Sequence, residues 1–210
     1  MRHLALIGDS ILDNIHYTAP DPDTTDWLRR SVGSEWTVEL LARDGGTMAD
    51  IGFQVGHLPT ETDTAVLSIG GNDALEHIGI LEERAATSAE VLSHLARIAD
   101  DFGSRYRQVI TDLGPRVRRL IVCTIYEPPL LNPAMARLAR VPLALLNDQI
   151  IRAAARAGAD VLDIRTVCTE ASDFVMEIEP SAGGARKIAA AIDGLIRGTL
   201  PRPPITLFTM

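Results

Sequence analysis

Short apolar runs and helix-length amphipathic stretches alternate along this chain almost to its end. The runs fall at residues 3–7, 36–41, 64–69, 120–125 and 160–164, and each is short enough for a strand. Between and after them, helical spacing of apolar positions covers residues 25–31, 47–57, 81–113, 135–157 and 184–197. Five strands separated by crossover helices predict a parallel sheet covered on both faces, a flavodoxin-like three-layer α/β/α sandwich. No internal repeat or low-complexity segment interrupts the pattern. A single domain over residues 1–198 is expected, followed by a proline-containing tail at 199–210 in which Ile205, Leu207 and Phe208 are apolar enough to dock.

In an open parallel sheet, ligands collect at the carboxyl ends of the strands, where the strand order reverses. Three polar turns leave consecutive strands toward that edge. They are Gly8-Asp9-Ser10, Asp44-Gly45-Gly46-Thr47 and Gly70-Gly71-Asn72-Asp73. Pro20 and Pro22 mark a surface loop near the first turn, and the proline-broken segment Tyr126-Glu127-Pro128-Pro129-Leu130-Leu131-Asn132-Pro133 is placed to wall a cleft.

Charge and composition narrow the function. The 210 residues are 46% hydrophobic and 23% charged, ordinary globular values, with a formal net charge of -8. That acidity disfavours nucleic acid and anionic membrane as partners, since both require a basic face, and a small-molecule substrate is expected instead. Cys123 and Cys168 each lie in or beside an apolar segment and are expected to pack as free thiols, with no histidine at metal-ligand spacing. Met1-Arg2-His3 precedes the first strand without an apolar leader, and no apolar run approaches the roughly 18 residues of a spanning helix. A cytoplasmic protein is the expectation, needing neither metal nor organic cofactor.

The three turns, taken in order along the chain, resemble those of the SGNH or GDSL hydrolase family, and the resemblance covers nearly the whole sequence. It implies the sandwich fold and cleavage of a carboxylic ester or related acyl bond. In that resemblance Ser10 is the nucleophile, Gly45 donates a backbone N–H, and Asn72 donates its side-chain amide. The chemistry is reasonable in its own terms. A serine hydroxyl is a weak nucleophile that gains from a strand-to-helix turn, where free N–H groups and the helix dipole face developing charge. Donors from Ser10, Gly45 and Asn72 would form an oxyanion hole, each worth about 3 kcal/mol of barrier. Taken singly, serine here is also a good helix cap, and Asp9 and Asp73 are expected to fix their turns by accepting loop amides.

One block departs from the family. Its usual Asp-x-x-His-Pro reads Met176-Glu177-Ile178-Glu179-Pro180 here, so both the histidine and its orienting aspartate are replaced. Three alternatives follow. Glu179 acts as base, with burial raising its pKa; a histidine from elsewhere, His16 or His77, reaches Ser10; or the scaffold has become a binding protein or an acyl-transfer or cyclisation enzyme. Glu179 is the first candidate. Of the remaining charges, residues 116–119 read as a solvated turn, while Arg165 is a candidate anion anchor beyond the fifth strand.

Overall fold

The computed structural model describes residues 2–200. Met1 and residues 201–210, which include Ile205, Leu207 and Phe208 of the expected docking tail, lie outside the described residues. Five strands, β1 (Arg2–Gly8), β2 (Trp36–Leu40), β3 (Thr64–Ser68), β4 (Arg119–Cys123) and β5 (Asp160–Leu162), form one sheet in the order β2-β1-β3-β4-β5. Every pairing is parallel, which gives the predicted three-layer α/β/α architecture. The order reverses between β1 and β3, and their carboxyl ends carry the first and third polar turns.

Side-chain alternation explains why the strand runs are continuous in apolar residues. Along β1, Ala5 and Ile7 enter one core while Leu4 and Leu6 enter the other. The first core joins Ala65, Leu67 and Val122 to α3 (Ile51–Gly56), α5 (Ser88–Leu113) and α6 (Pro133–Ala157), with Phe102, Tyr106 and Ile150 fully buried. The second joins Val66, Ile121 and Leu162 to α2 (Thr24–Val32) and α7 (Ala182–Arg197), through Leu28, Ile188 and Ile192. Both faces of the strands are therefore covered, so a polar residue at either phase would have been buried.

Helix boundaries follow their caps. Asp23, Thr87, Asn132 and Ser181 each accept a first-turn N–H at the start of α2, α5, α6 and α7, and Gly158 and Gly198 close α6 and α7 with positive φ. The cap at Thr87 also corrects the expected helix at 81–113. It begins at Ser88, and Ile78–Glu82 forms a separate 3-10 turn. The expected helix at 47–57 likewise divides into a 3-10 turn, Met48–Asp50, and α3. Two short helices escaped the periodicity, α1 (Ile15–Thr18) and α4 (Gly71–Leu75), because one turn is too short to show a period. So did the antiparallel hairpin β6 (Phe174–Val175) and β7 (Glu179–Pro180). Among the described residues no helix is long and apolar enough to cross a membrane.

Beyond the strand ends the ladder runs out, and two side-chain amides take its place. Gln54 of α3 brackets Gly8, accepting from its N–H at 2.8 Å and donating to its carbonyl at 2.9 Å. Asn147 of α6 does the same for Ile125, at 2.7 and 2.8 Å. Both amides are 1% exposed, and the Gly8 peptide is itself buried, so it has no water as a substitute partner. Replacing Gln54 by leucine keeps the volume but orphans the Gly8 N–H. Urea denaturation of Gln54→Leu is expected to give an unfolding free energy lower by about 2 kcal/mol, the cost of a buried unsatisfied group.

Candidate active site

Gly8 has a φ of 138°, and a Cβ there would stand 1.7 Å from the Ser68 carbonyl oxygen, so only glycine fits the end of β1. Asp9 N–H donates to that same oxygen at 3.0 Å, and the Leu12 and Asp13 N–H groups donate back to the Asp9 carbonyl at 3.1 Å. This closes a tight turn that presents Ser10, 8% exposed, at the floor of a cavity. The expectation that Ser10 opens a helix is corrected here. The next helix, α1, begins at Ile15 and has four residues, because Asn14 is buried and tied to Thr24 instead of continuing the turn. Whatever favours charge at Ser10 therefore comes from local amides, not from a long helix dipole.

The cavity occupies about 1050 Å³ including its open mouth. Ser10, Asn72, Glu179 and His77 all line it, so residues from β1's exit, α4, β7 and the turn after α4 meet in one space. His16 is exposed on α1 and is not on the wall. Gly45 also lies off the wall, on the exposed turn after β2, with φ at 74° and open space where a Cβ would be. Its N–H makes no hydrogen bond among the described residues, whereas the neighbouring Gly46 N–H is used by the Arg43 carbonyl at 3.0 Å. Asn72 spends one amide hydrogen on the Gly46 carbonyl, at 2.8 Å, which fixes the side chain between the second and third turns.

The remaining walls are apolar. Leu75, Ile78, Ile80 and Leu81 face Pro128, Leu130, Pro142 and Leu143 across the space. The proline-broken loop forms a wall as expected. Tyr126 is 6% exposed and donates its hydroxyl to the Ile178 carbonyl, holding the β6–β7 hairpin against the cavity. That hairpin brings Glu179 in. Val175 pairs with Glu179, and Met176 and Glu177 turn the chain with φ of 48° and 69°, unusual for side chains other than glycine. Met176 is 77% exposed and does not line the cavity.

Two carboxyl groups flank Ser10. Burial raises the Glu179 carboxyl above the ordinary range, the Ser10 hydroxyl partly offsets this by hydrogen bonding, and the negative charge of Asp44 raises it further. Oε2 of Glu179 is buried with no partner. As expected of a turn-fixing residue, Asp9 accepts from the Ile11 N–H through Oδ1, at 3.2 Å. Burial nevertheless pushes its pKa to about 8, against the pull of that amide and helped by the charges of Glu179 and Asp73. A carboxyl so raised is mostly protonated at pH 7. Nothing in a tripeptide motif signals this, because the cause is the material packed above and behind it.

Asp73 holds the architecture. Oδ2 accepts from Met48 N–H at 3.1 Å and Oδ1 pairs with Arg105 at 3.0 Å, joining the turns after β2 and β3 to α5. Asp173 does similar work beneath the hairpin, accepting from Thr169 and Glu170 amides and pairing with Lys187 at 2.7 Å. Arg165, a candidate anchor from sequence, is neutralised by Asp163 at 2.6 Å. Cys123 and Cys168 are free and buried, their thiols pushed up to about 12 chiefly by burial. Among the described residues no group of three His, Cys, Asp or Glu could hold a metal ion.

A parallel α/β/α sandwich with a polar site at the β1–β3 switch point defines the class. Residues 6–187 match the model of the GDSL-like Lipase/Acylhydrolase family, and the chain belongs to that family. No curated protein matches it by sequence. Among solved structures, phospholipase A1 from Streptomyces albidoflavus NA297 superposes with a TM-score of 0.69 at 16% identity, over 92% of this chain and 98% of that one. The lipase/acylhydrolase from Enterococcus faecalis gives 0.65 at 21% identity, over 98% and 100%. A variant of Axe2, an acetyl xylan esterase from Geobacillus stearothermophilus, gives 0.62 at 16%, over 91% and 92%. At such identities the likeness is one of fold.

The protonated Asp9 has a measurable consequence. Its folded pKa of about 8 exceeds its ordinary 3.8, so between those values the folded chain holds a proton that the unfolded chain has released. Unfolding free energy is therefore expected to fall as pH rises through that window, by up to about 1.4 kcal/mol per pH unit from this group. Asp9→Asn keeps an acceptor for Ile11 and removes the titration. Urea midpoints across the window should show a flatter dependence in the variant than in the native chain.

Proposed function

We propose that this protein is a serine hydrolase of carboxylic esters or related acyl bonds, with Ser10 as nucleophile and Glu179 as the base in place of histidine. The observation that carries the reading is the Ser10 hydroxyl facing a half-buried carboxyl of raised pKa, in a cavity shared with the Asn72 amide. A carboxylate of ordinary pKa is a poor base for a hydroxyl, and burial improves the match. The unpartnered Oε2 leaves Glu179 with capacity to accept a proton.

In this reading Ser10 attacks the acyl carbon and passes its proton to Glu179. The free amide hydrogen of Asn72 and the N–H groups of Ser10 and Gly45 receive the oxyanion, with Gly45 reaching it from the rim of the cavity. The apolar walls favour an acyl group of hydrocarbon character over a sugar or a charged acid, since polar groups there would lose their water without replacement. Water then releases the acyl group from Ser10. The names of the structural neighbours, lipase, phospholipase and esterase, agree with this class of bond.

The test is labelling by a fluorophosphonate together with turnover of a short-chain nitrophenyl ester. Ser10→Ala should abolish both. Glu179→Gln should lower kcat/KM by about 10² to 10⁴, the usual range for a general base, and Asn72→Ala by about 10². Turnover in native protein should rise with pH through the raised pKa of Glu179, since only its ionised form accepts the proton. His77→Gln should change little. A large loss there with a mild one in Glu179→Gln would move the base to His77, and inert, unlabelled native protein would remove the hydrolase reading.

A further inference from the structure

Cleaving an ester requires two proton movements, one away from the serine and one onto the departing alcohol oxygen, and an imidazole ordinarily performs them in turn. Glu179 is suited to the first. A second carboxyl occupies the same cavity. Asp9 immediately precedes Ser10, is 3% exposed, and lines the space with Ser10, Asn72 and Glu179. Its Oδ1 is fixed by the Ile11 amide, whereas Oδ2 accepts no hydrogen bond among the described residues. Oδ2 lies beside the turn after β3, where a Cβ on Gly71 would be 3.8 Å from it, next to Asn72.

We propose that Asp9 is a second catalytic residue, the general acid that protonates the leaving alcohol from Oδ2, so that two carboxyls divide the work of the absent histidine. The inference rests on the assignment of Ser10 and Glu179 above. The cycle balances. Ser10 Oγ bonds to the acyl carbon as its proton passes to Glu179; the carbon–oxygen bond to the alcohol breaks as that oxygen takes the Asp9 proton. The acyl-enzyme then faces an ionised Asp9 and a protonated Glu179. Water attacks the acyl carbon, yielding its proton to Asp9, and the departing Ser10 Oγ recovers its own from Glu179. Ester and water have become acid and alcohol, and both carboxyls return to their starting states.

The surroundings support the starting state of Asp9. The titratable groups facing it are Glu179 from β7, Asp73 from α4, Tyr106 from α5, Cys123 at the end of β4 and Tyr126 in the loop beyond. None is basic. The tyrosine hydroxyls and the thiol are kept neutral by burial, and Arg105 is engaged by Asp73 and Asp101, each at 3.0 Å. No cation is among the groups acting on Asp9, since Arg105 is engaged and His77, which shares the cavity wall, is not one of them, and Asp9 holds its proton to about pH 8. Glu179, more open and hydrogen-bonded by Ser10, is the one of the pair better able to ionise. Neighbouring carboxyls whose environments separate their titrations are suited to opposite roles as acid and base.

A leaving group that needs no proton separates the two roles. Nitrophenolate departs unaided, and an alkoxide does not. For Asp9→Asn, the ratio of kcat/KM on an alkyl ester to that on the nitrophenyl ester of the same acid is expected to fall about 100-fold or more. Equal losses on both esters would overturn the proposal, because a merely structural Asp9 affects both alike. The native protein supplies a second measurement that does not depend on the variant folding. Turnover of the alkyl ester should decline above about pH 8, as Asp9 ionises, without a matching decline for the nitrophenyl ester. Coincident pH profiles would overturn it. Fluorophosphonate labelling distinguishes the failures: an unchanged ratio in a protein still labelled at Ser10 removes Asp9 alone, and absence of labelling removes the Ser10 reading with it.

Discussion

The peptide of Gly8 is the constraint on which the site depends. Its N–H and carbonyl are bracketed by Gln54, its carbonyl also accepts from Arg43 N–H, and its α-carbon stands where any side chain would strike Ser68. One residue thus joins β1, β3, α3 and the turn after β2. Because all its polar groups are satisfied inside the protein, the chain beyond it has little freedom, and the turn carrying Asp9 and Ser10 leaves the sheet in one direction. Close backbone contact at the β1–β3 divergence creates the opening and also sets the Ser10 hydroxyl at its floor.

The chemistry of that opening is set by an imbalance. Apolar walls from α4, its following turn, the proline-broken loop and α6 remove water, while the polar residues on the floor include two carboxyls and no basic group except His77. A cation would have kept both carboxyls ionised. In its absence burial dominates, Asp9 stays protonated, and Glu179 is raised less because it is more open and faces Ser10. The hairpin that delivers Glu179 depends on a backbone turn at Met176 and Glu177 that costs conformational energy, offset by the Tyr126 hydroxyl and by the ion pair of Asp173 and Lys187 below it.

Strand runs and long amphipathic helices were legible because their information is periodic and repeated over many residues. Every sheet strand was found within two residues of its ends, and the helix at 135–157 was recognisable despite Pro142 within it. Short elements were not. The four residues of α1 and the two-residue strands of the hairpin carry no period, and they form where Thr24 and Tyr126, ten and 52 residues from their partners, supply hydrogen bonds. The same limit applied to the candidate residues. Motif order brought Ser10, Asn72 and Glu179 forward, and all three line one cavity; chain position alone could not separate His77, on its wall, from His16, exposed outside it. Gly45 was legible as a turn glycine, but that it lies off the cavity wall depended on how the turn after β2 packs.

What the sequence determined by itself was the layered α/β architecture, the family, and the edge of the sheet where chemistry would gather, since these follow from apolar spacing and from residues adjacent in the chain. Only the tertiary structure decided which side chains face one another and in what protonation state. Asp9 beside Ser10 is visible in the primary sequence. That it keeps its proton there is not, because desolvation and the missing cation are properties of Tyr106, Cys123, Tyr126 and Glu179 folded around it, residues 97 to 170 positions farther along the chain.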